Sequence, residues 1–175
     1  RDEHPSRGLG DVYKRQAMNS ILKLDDDKKN VLAWSSGNHA QAIASACYLT
    51  NKNATIVMPE DSPNAKLNGT KSWGANVVTF NRYSESREEI GANLAKEINA
   101  EIIPPFDHPD VINGQGTVGY EIINEFKKNN LIPDLVLCCC GGGGLIAGVS
   151  TAIKAEYPNI PVYAVEPEDY NDTFL

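Results

Sequence analysis

From Ala17 onward, apolar positions repeat in turn at helical and at strand spacing, and that alternation lays out the chain. Residues 17–24 read as a short helix with Ile21 and Leu24 inward, closed by the charged turn Asp25-Asp26-Asp27-Lys28-Lys29. The pattern then predicts strands over 31–34, 54–58, 76–80 and 101–103, with helices over 40–49, 65–73 and 85–98 between them. Pro104-Pro105 breaks the rhythm and marks a boundary. Beyond it, Val118, Ile122, Ile123 and Phe126 share a helix face, and 135–140 is an apolar run expected of a strand buried on both faces. Leu145, Ile146, Val149, Ala152 and Ile153 return to helical spacing, and 162–165 is a last strand. Strands alternating with helices imply a parallel sheet with crossover helices, an α/β class.

Two loops at strand ends carry the candidate chemistry. Gly141 to Gly144 join the 135–140 strand to the next helix, and without Cβ atoms their N–H groups can converge on an anion at the positive end of the helix dipole. A phosphate is the expected guest, at roughly 1.5–3 kcal/mol for each charge-assisted hydrogen bond. Three other readings compete. Residues 135–153 carry no charge, but four glycines and the flanking Pro133-Asp134 argue against a membrane span. Gly142, Gly144 and Ala147 fit G-x-G-x-x-A, and Glu166 follows the next strand at the spacing of a ribose-binding acid, which keeps a dinucleotide-dependent oxidoreductase open. A plain turn for close helix–sheet packing is the third. The second loop, Ser35-Ser36-Gly37-Asn38-His39, can hold a carboxylate and polarise an aromatic oxygen; equally it reads as a Ser/Asn helix cap, with His39 a hydrogen-bonded histidine outside the chemistry.

Composition narrows the partners. A formal charge of −7 without any basic cluster argues against nucleic acid or an anionic membrane surface and for a small-molecule ligand. Cys47 stands alone and Cys138, Cys139 and Cys140 are adjacent, a layout with neither metal-ligand spacing nor a disulfide framework, so reduced, buried thiols in cytoplasm are expected. The first residues are polar and show no signal peptide.

Residues 1–16 have no periodicity and no core-forming face. Asp11 to Gln16, DVYKRQ, is what GATGTGTATAAGAGACAG encodes, a string that resembles the transposase mosaic-end adapter of sequencing libraries. The segment is accordingly set apart as non-native. It holds four Lys/Arg and three Asp/Glu, so the acidic balance belongs to the remainder.

SSGNHAQ, PPFDHP, NGQGT, GGGGL and VEPE occur in the order and approximate spacing of the fold-type II pyridoxal-phosphate enzymes, and resemble most the threonine/serine ammonia-lyase (dehydratase) and serine racemase group. The likeness runs from Ala17 to Leu175. It implies the three-layer, parallel-sheet fold of the tryptophan synthase β-like enzymes, incomplete here, with 17–30 and 108–175 in a large cofactor-binding domain and 31–107 in a small one.

For the parent enzyme the resemblance implies elimination of the β-hydroxyl of L-threonine or L-serine to give a 2-oxo acid and ammonia, with serine racemase and 3-hydroxyaspartate ammonia-lyase as alternatives. A homo-oligomer is implied as well. Gly141 to Gly144 with Leu145 would bind the phosphate of pyridoxal 5′-phosphate, and Asn38 its pyridine 3′-oxygen. Ser35, Ser36, Gly37, Asn38 and His39 would bind the substrate carboxylate, with Ser36 as a second acid/base. In EPEDYND, the carboxylates of Glu166 and Asp172 and the Tyr170 carbonyl suit a hard divalent cation, Mg²⁺ or Ca²⁺; equally the segment reads as a solvated acidic loop. Asp107 and His108, between prolines, are expected only to shape a loop.

One departure stands out. The family's Lys-x-Arg-Gly-Ala-x-Asn segment supplies the Schiff-base lysine, but aligning Ala17 and Asn19 puts Tyr13 in its place and Lys14 one register off. The chain as it stands is therefore expected to be inactive and truncated at both ends. A non-catalytic phosphate-ligand binding module is the remaining alternative.

Overall fold

The computed structural model describes residues 9–171 and 173, and the chain divides into two compact units at Pro105–Phe106, beside the proline pair. The first unit is built on a four-stranded parallel sheet. Its central strand β1 (Asn30–Trp34) pairs with β2 (Asn53–Pro59) on one side and β4 (Ala100–Ile102) on the other, and β3 (Asn76–Phe80) extends it beyond β2, giving the order β3-β2-β1-β4. Each parallel step needs a crossover, which the helices α2 (Asn38–Leu49), α3 (Asn64–Ser72) and α4 (Arg87–Glu97) supply.

Strand alternation sorts the core. Leu32, Val57 and Phe80 cluster with Ala95 of α4, while the alternate positions Val31, Ala33, Ile56 and Met58 are also buried and α2 packs on β1 and β2. Helix α4 starts on a Ser86 cap whose hydroxyl accepts the Glu89 N–H at 3.2 Å.

The first helix, α1 (Leu9–Leu22), begins well before the expected start at 17 and runs through the segment set apart as non-native. Tyr13, Lys14, Arg15 and Gln16 contain no helix breaker, so the turn anchored by buried Ala17 and Ile21 propagates backwards through them. Gln16 and Ser20 share that buried stripe, so a core-facing position exists where the sequence pattern shows none. The helix packs on α2, within the first unit.

The second unit contains α5 (Pro109–Lys128), β5 (Val136–Cys139), α6 (Gly144–Glu156) and β6 (Val162–Val165), followed by a 3₁₀ turn at Glu168–Tyr170. β5 and β6 pair in parallel as a two-stranded sheet. Its core gathers Ile123, Cys138, Val149, Ile153 and Ile160. Contrary to the expectation for a doubly buried strand, Cys138 alone in β5 is buried, and Leu137 is 64% exposed, because the helices cover one face of this small sheet. The thiols divide likewise: Cys47 and Cys138 are buried, Cys140 is partly covered and Cys139 is exposed. Helices α5 and α6 approach to backbone contact. A Cβ at Gly148 would overlap the Ile112 carbonyl and lie 2.5 Å from Gly116 N; one at Gly119 would lie 2.9 Å from Val149 O.

Candidate cofactor and substrate loops

In the second unit, the tetraglycine loop ends in α6 with Gly143 as N-cap at φ +83°, a left-handed conformation that favours glycine. No side chain caps this helix and no acid occupies its first turn. Ala147 N–H is bonded back to Gly143 O at 2.9 Å, which leaves the N–H groups of Gly144, Leu145 and Ile146 outside the helical ladder. A Cβ on Gly141 or Gly143 would meet nothing within 4 Å, so the loop borders open space; at Gly142 it would overlap the Phe106 ring, which backs the loop. Free donors, the helix dipole and room on the open side fit an anion such as a phosphate ester. Leu145 is half-buried and packs on the unit's core, so it contributes its backbone.

In the first unit, Ser35–His39 connects the carboxyl end of β1 to α2. The Ser35 hydroxyl accepts the Gly37 N–H at 3.1 Å, folding the loop on itself, and Ser35 N–H donates to Val57 O at 3.1 Å. Ser36 is exposed, Gly37 buried and Asn38 half-buried. Ser35 and Ser36 border a cavity of about 350 Å³ whose other walls include Arg82, Glu85, Arg87 and Glu88. Both guanidinium groups there are paired, Arg82 with Asp61 at 2.7 Å and Arg87 with Glu88 at 2.7 Å.

The His39 ring is fixed at both nitrogens. Ile103 O can only accept, so Nε2 carries the proton and donates to it at 3.1 Å, while Nδ1 accepts from Gln16 Nε2 at 2.7 Å. Gln16 spends its second amide proton on Pro105 O at 3.2 Å. Burial pushes the imidazole pKa down to about 4, against the opposing hydrogen bond to Ile103. The ring is a neutral structural element, and His39 is left with its backbone for ligand binding.

The other candidates separate clearly. His108 caps α5, its Nδ1 accepting from Asp110 N at 3.3 Å, and Asp107 sits at φ +54°, both as loop-shaping residues. Glu166 Oε1 accepts the Thr173 N–H at 3.3 Å, and Tyr170 ends the 3₁₀ turn; Asp172 lies outside the described residues. Among the described residues no group of three or more His, Cys, Asp or Glu is placed to hold a metal ion, and no helix is long and apolar enough to cross a membrane. Burial raises the Cys138 thiol to about 11 and the Cys47 thiol to about 12, so neither is a nucleophile at neutral pH.

The sequence pattern missed one group. Lys66, in the first turn of α3, brings its Nζ to 3.5 Å from Asn38 Oδ1 and directly over Gly37. Residues 28 apart meet here because parallel β1 and β2 start their following helices at the same sheet edge, which no local spacing encodes.

The model of the family described as pyridoxal-phosphate dependent enzyme matches residues 7–174. The chain is 48% identical over 166 residues to L-threo-3-hydroxyaspartate ammonia-lyase of Saccharomyces cerevisiae, covering 94% of this chain and 50% of that protein. It is 41% identical to serine racemase of Schizosaccharomyces pombe, with the same coverage. The crystal structure of the T.th. threonine deaminase superposes with a TM-score of 0.84 at 42% identity, over 90% of this chain and 50% of that one. The chain spans about half the length of the curated relatives it matches. The family match displaces the dinucleotide reading of Gly142, Gly144 and Glu166: the chain belongs to the pyridoxal-phosphate dependent enzymes.

Proposed function

We propose that the chain is part of an ammonia-lyase that uses pyridoxal 5′-phosphate to remove the β-hydroxyl of L-threonine or L-serine, releasing a 2-oxo acid and ammonia. The observation that carries this reading is the uncapped start of α6 behind an open glycine loop, a donor set suited to a phosphate ester. Gly141 to Gly144 and Leu145 would hold the phosphate through backbone N–H groups, and Asn38 would donate to the pyridine 3′-oxygen. The cofactor, when bound, withdraws electrons from the substrate α-carbon and makes its proton removable. Ser35 to His39 would bind the substrate carboxylate with hydroxyls and backbone amides. The exposed Ser36 hydroxyl is free to carry a proton at the α-carbon, which would also serve a racemase. His39 takes no proton in this scheme, since both ring nitrogens are occupied.

A second reading, 3-hydroxyaspartate as substrate, is supported by the 48% identity to L-threo-3-hydroxyaspartate ammonia-lyase of Saccharomyces cerevisiae; Arg82 and Arg87 line the cavity beside Ser35 and Ser36 but would have to leave Asp61 and Glu88 to meet a second carboxylate. The test is to recover the source locus, read the codons before Ala17, and assay the complete gene product with threonine, serine and 3-hydroxyaspartate. A Lys-x-Arg-Gly preceding Ala17 and cofactor-dependent 2-oxo acid formation are expected. Native DVYKRQ with no 2-oxo acid from any of the three would replace the lyase by the non-catalytic binding module.

A further inference from the structure

The first turn of α3 places a cation where the sequence pattern shows no need for one. Lys66 is half-buried, and among the described residues no carboxylate pairs with it. Its hydrogen bond is to Asn38 Oδ1, at 3.5 Å. The ammonium reaches Asn38 by crossing Gly37: a Cβ at Gly37 would sit 2.6 Å from Nζ and 3.1 Å from Cδ, so any side chain there would displace the lysine. Two features thus converge on the same contact, a lysine with no counterion among the described residues and a buried glycine that leaves room for its passage.

We propose that Lys66 is a positioning residue for Asn38, setting which end of the carboxamide faces the ligand. The amide oxygen and nitrogen of an asparagine are nearly interchangeable in shape, so the site must choose between a donor and an acceptor. An ammonium has three donors and no acceptor, so the end of Asn38 that meets it is the oxygen. Nδ2 is left as the donor, the polarity required for an oxyanion and the wrong one for a hydroxyl that must donate. The positive charge also polarises the amide and strengthens the Nδ2–H donor. Lys66 acts through Asn38 and touches neither substrate nor cofactor.

This inference rests on the reading of Asn38 given above, and its test separates the two. The probe is pyridoxamine 5′-phosphate, which carries the ring, the 3′-oxygen and the phosphate but no aldehyde, so its binding requires no Schiff-base lysine. It is titrated into the 175-residue chain and its variants, and ring absorbance against pH reports ionisation of the 3′-oxygen. Lys66→Met is expected to weaken binding by roughly five- to tenfold, the loss of a donor to a charged oxygen, and to raise the pKa of the bound 3′-oxygen. Lys66→Arg, which keeps a cationic donor, should restore both. Asn38→Ala should reproduce the Lys66→Met behaviour, and the double variant should lose nothing more. Gly37→Ala should retain the fold by far-UV circular dichroism yet show the same rise in pKa. Wild-type affinity and absorbance in Lys66→Met would overturn the proposal while leaving the cofactor reading intact. A double variant weaker than Asn38→Ala overturns it too, since the lysine would then act directly. No binding by the unaltered chain overturns the cofactor reading, and the proposal with it.

Discussion

At the scale of single residues, His39 shows how the same side chain reads differently from sequence and from its surroundings. In SSGNH it stands beside candidate catalytic groups, yet its imidazole is buried with Gln16 on one nitrogen and Ile103 O on the other. The folded-state pKa of about 4 lies below the ordinary 6.5, so the unfolded chain takes up a proton first. The stability that neutral His39 contributes is therefore whole above pH 6.5 and is lost as pH falls towards 4, about 3 kcal/mol in all. Urea midpoints measured at about pH 7.5 and pH 5 should drop by the equivalent of ~2 kcal/mol more in the wild type than in His39→Gln. Equal drops in the two proteins would show that His39 does not carry the acid sensitivity. That Gln16 completes this network was not legible: it sits in DVYKRQ, where neither periodicity nor apolar character marks a core position. The glycine loop and SSGNH are legible as strand-to-helix junctions because both need particular residue types there, so the constraint is local. The contact made by Lys66 was not, because it depends on β1 and β2 lying side by side.

At the scale of elements, the sheet of the first unit follows the apolar pattern closely, and β3 and β6 have the expected bounds, since parallel strands write themselves as short runs of β-branched and apolar residues even where, as in these two, little of the strand is buried. Burial of β5 departs from its apolar pattern for a physical reason. A run such as VLCC states what a strand can tolerate on both faces, whereas coverage depends on how many layers flank it, and here one face of a two-stranded sheet is covered. Helix–helix distance was equally hidden, because glycine inside a helix lowers propensity without announcing why it is there. The structure supplies the reason at Gly148, where α6 lies against the backbone of α5 at Ile112, Gln115 and Gly116. Backbone atoms cannot step aside as the tip of a side chain can. Gly148→Ala should therefore push the helices apart and destabilise the second unit by about 1–3 kcal/mol, against the small gain an alanine normally brings to a helix interior. A denaturation midpoint unchanged or raised by Gly148→Ala would refute the close approach. The control is Gly74→Ala, on an open surface at φ +79°, where any cost is local backbone strain and leaves α5 and α6 in place.

At the scale of the whole molecule, the question is what a chain half the length of the curated relatives it matches can do, given that the resemblance sets Tyr13 against the family's lysine. The structure makes the register of α1 explicit. Successive residues on an α-helix are rotated by about 100°, so Lys14 points away from the direction in which Tyr13 points, and it is exposed where Tyr13 is half-buried. Sliding Lys14 into the place of Tyr13 would turn the helix and carry Gln16, Ala17 and Ile21 out of the core, undoing the His39 network as well. Lys14 is therefore not expected to stand in for the family's lysine. We expect the 175-residue chain to release no 2-oxobutanoate from threonine above the blank. Borohydride reduction in the presence of pyridoxal 5′-phosphate should label Lys14 no more than other exposed lysines such as Lys128. Introducing the amine at the aligned position, Tyr13→Lys, should concentrate the label on residue 13, as peptide mapping by mass spectrometry would show. Threonine-dependent 2-oxobutanoate from the unaltered chain, or selective labelling of Lys14, would mean that the alignment of Ala17 and Asn19 with the family segment is wrong by one residue, and that the helix turns on binding.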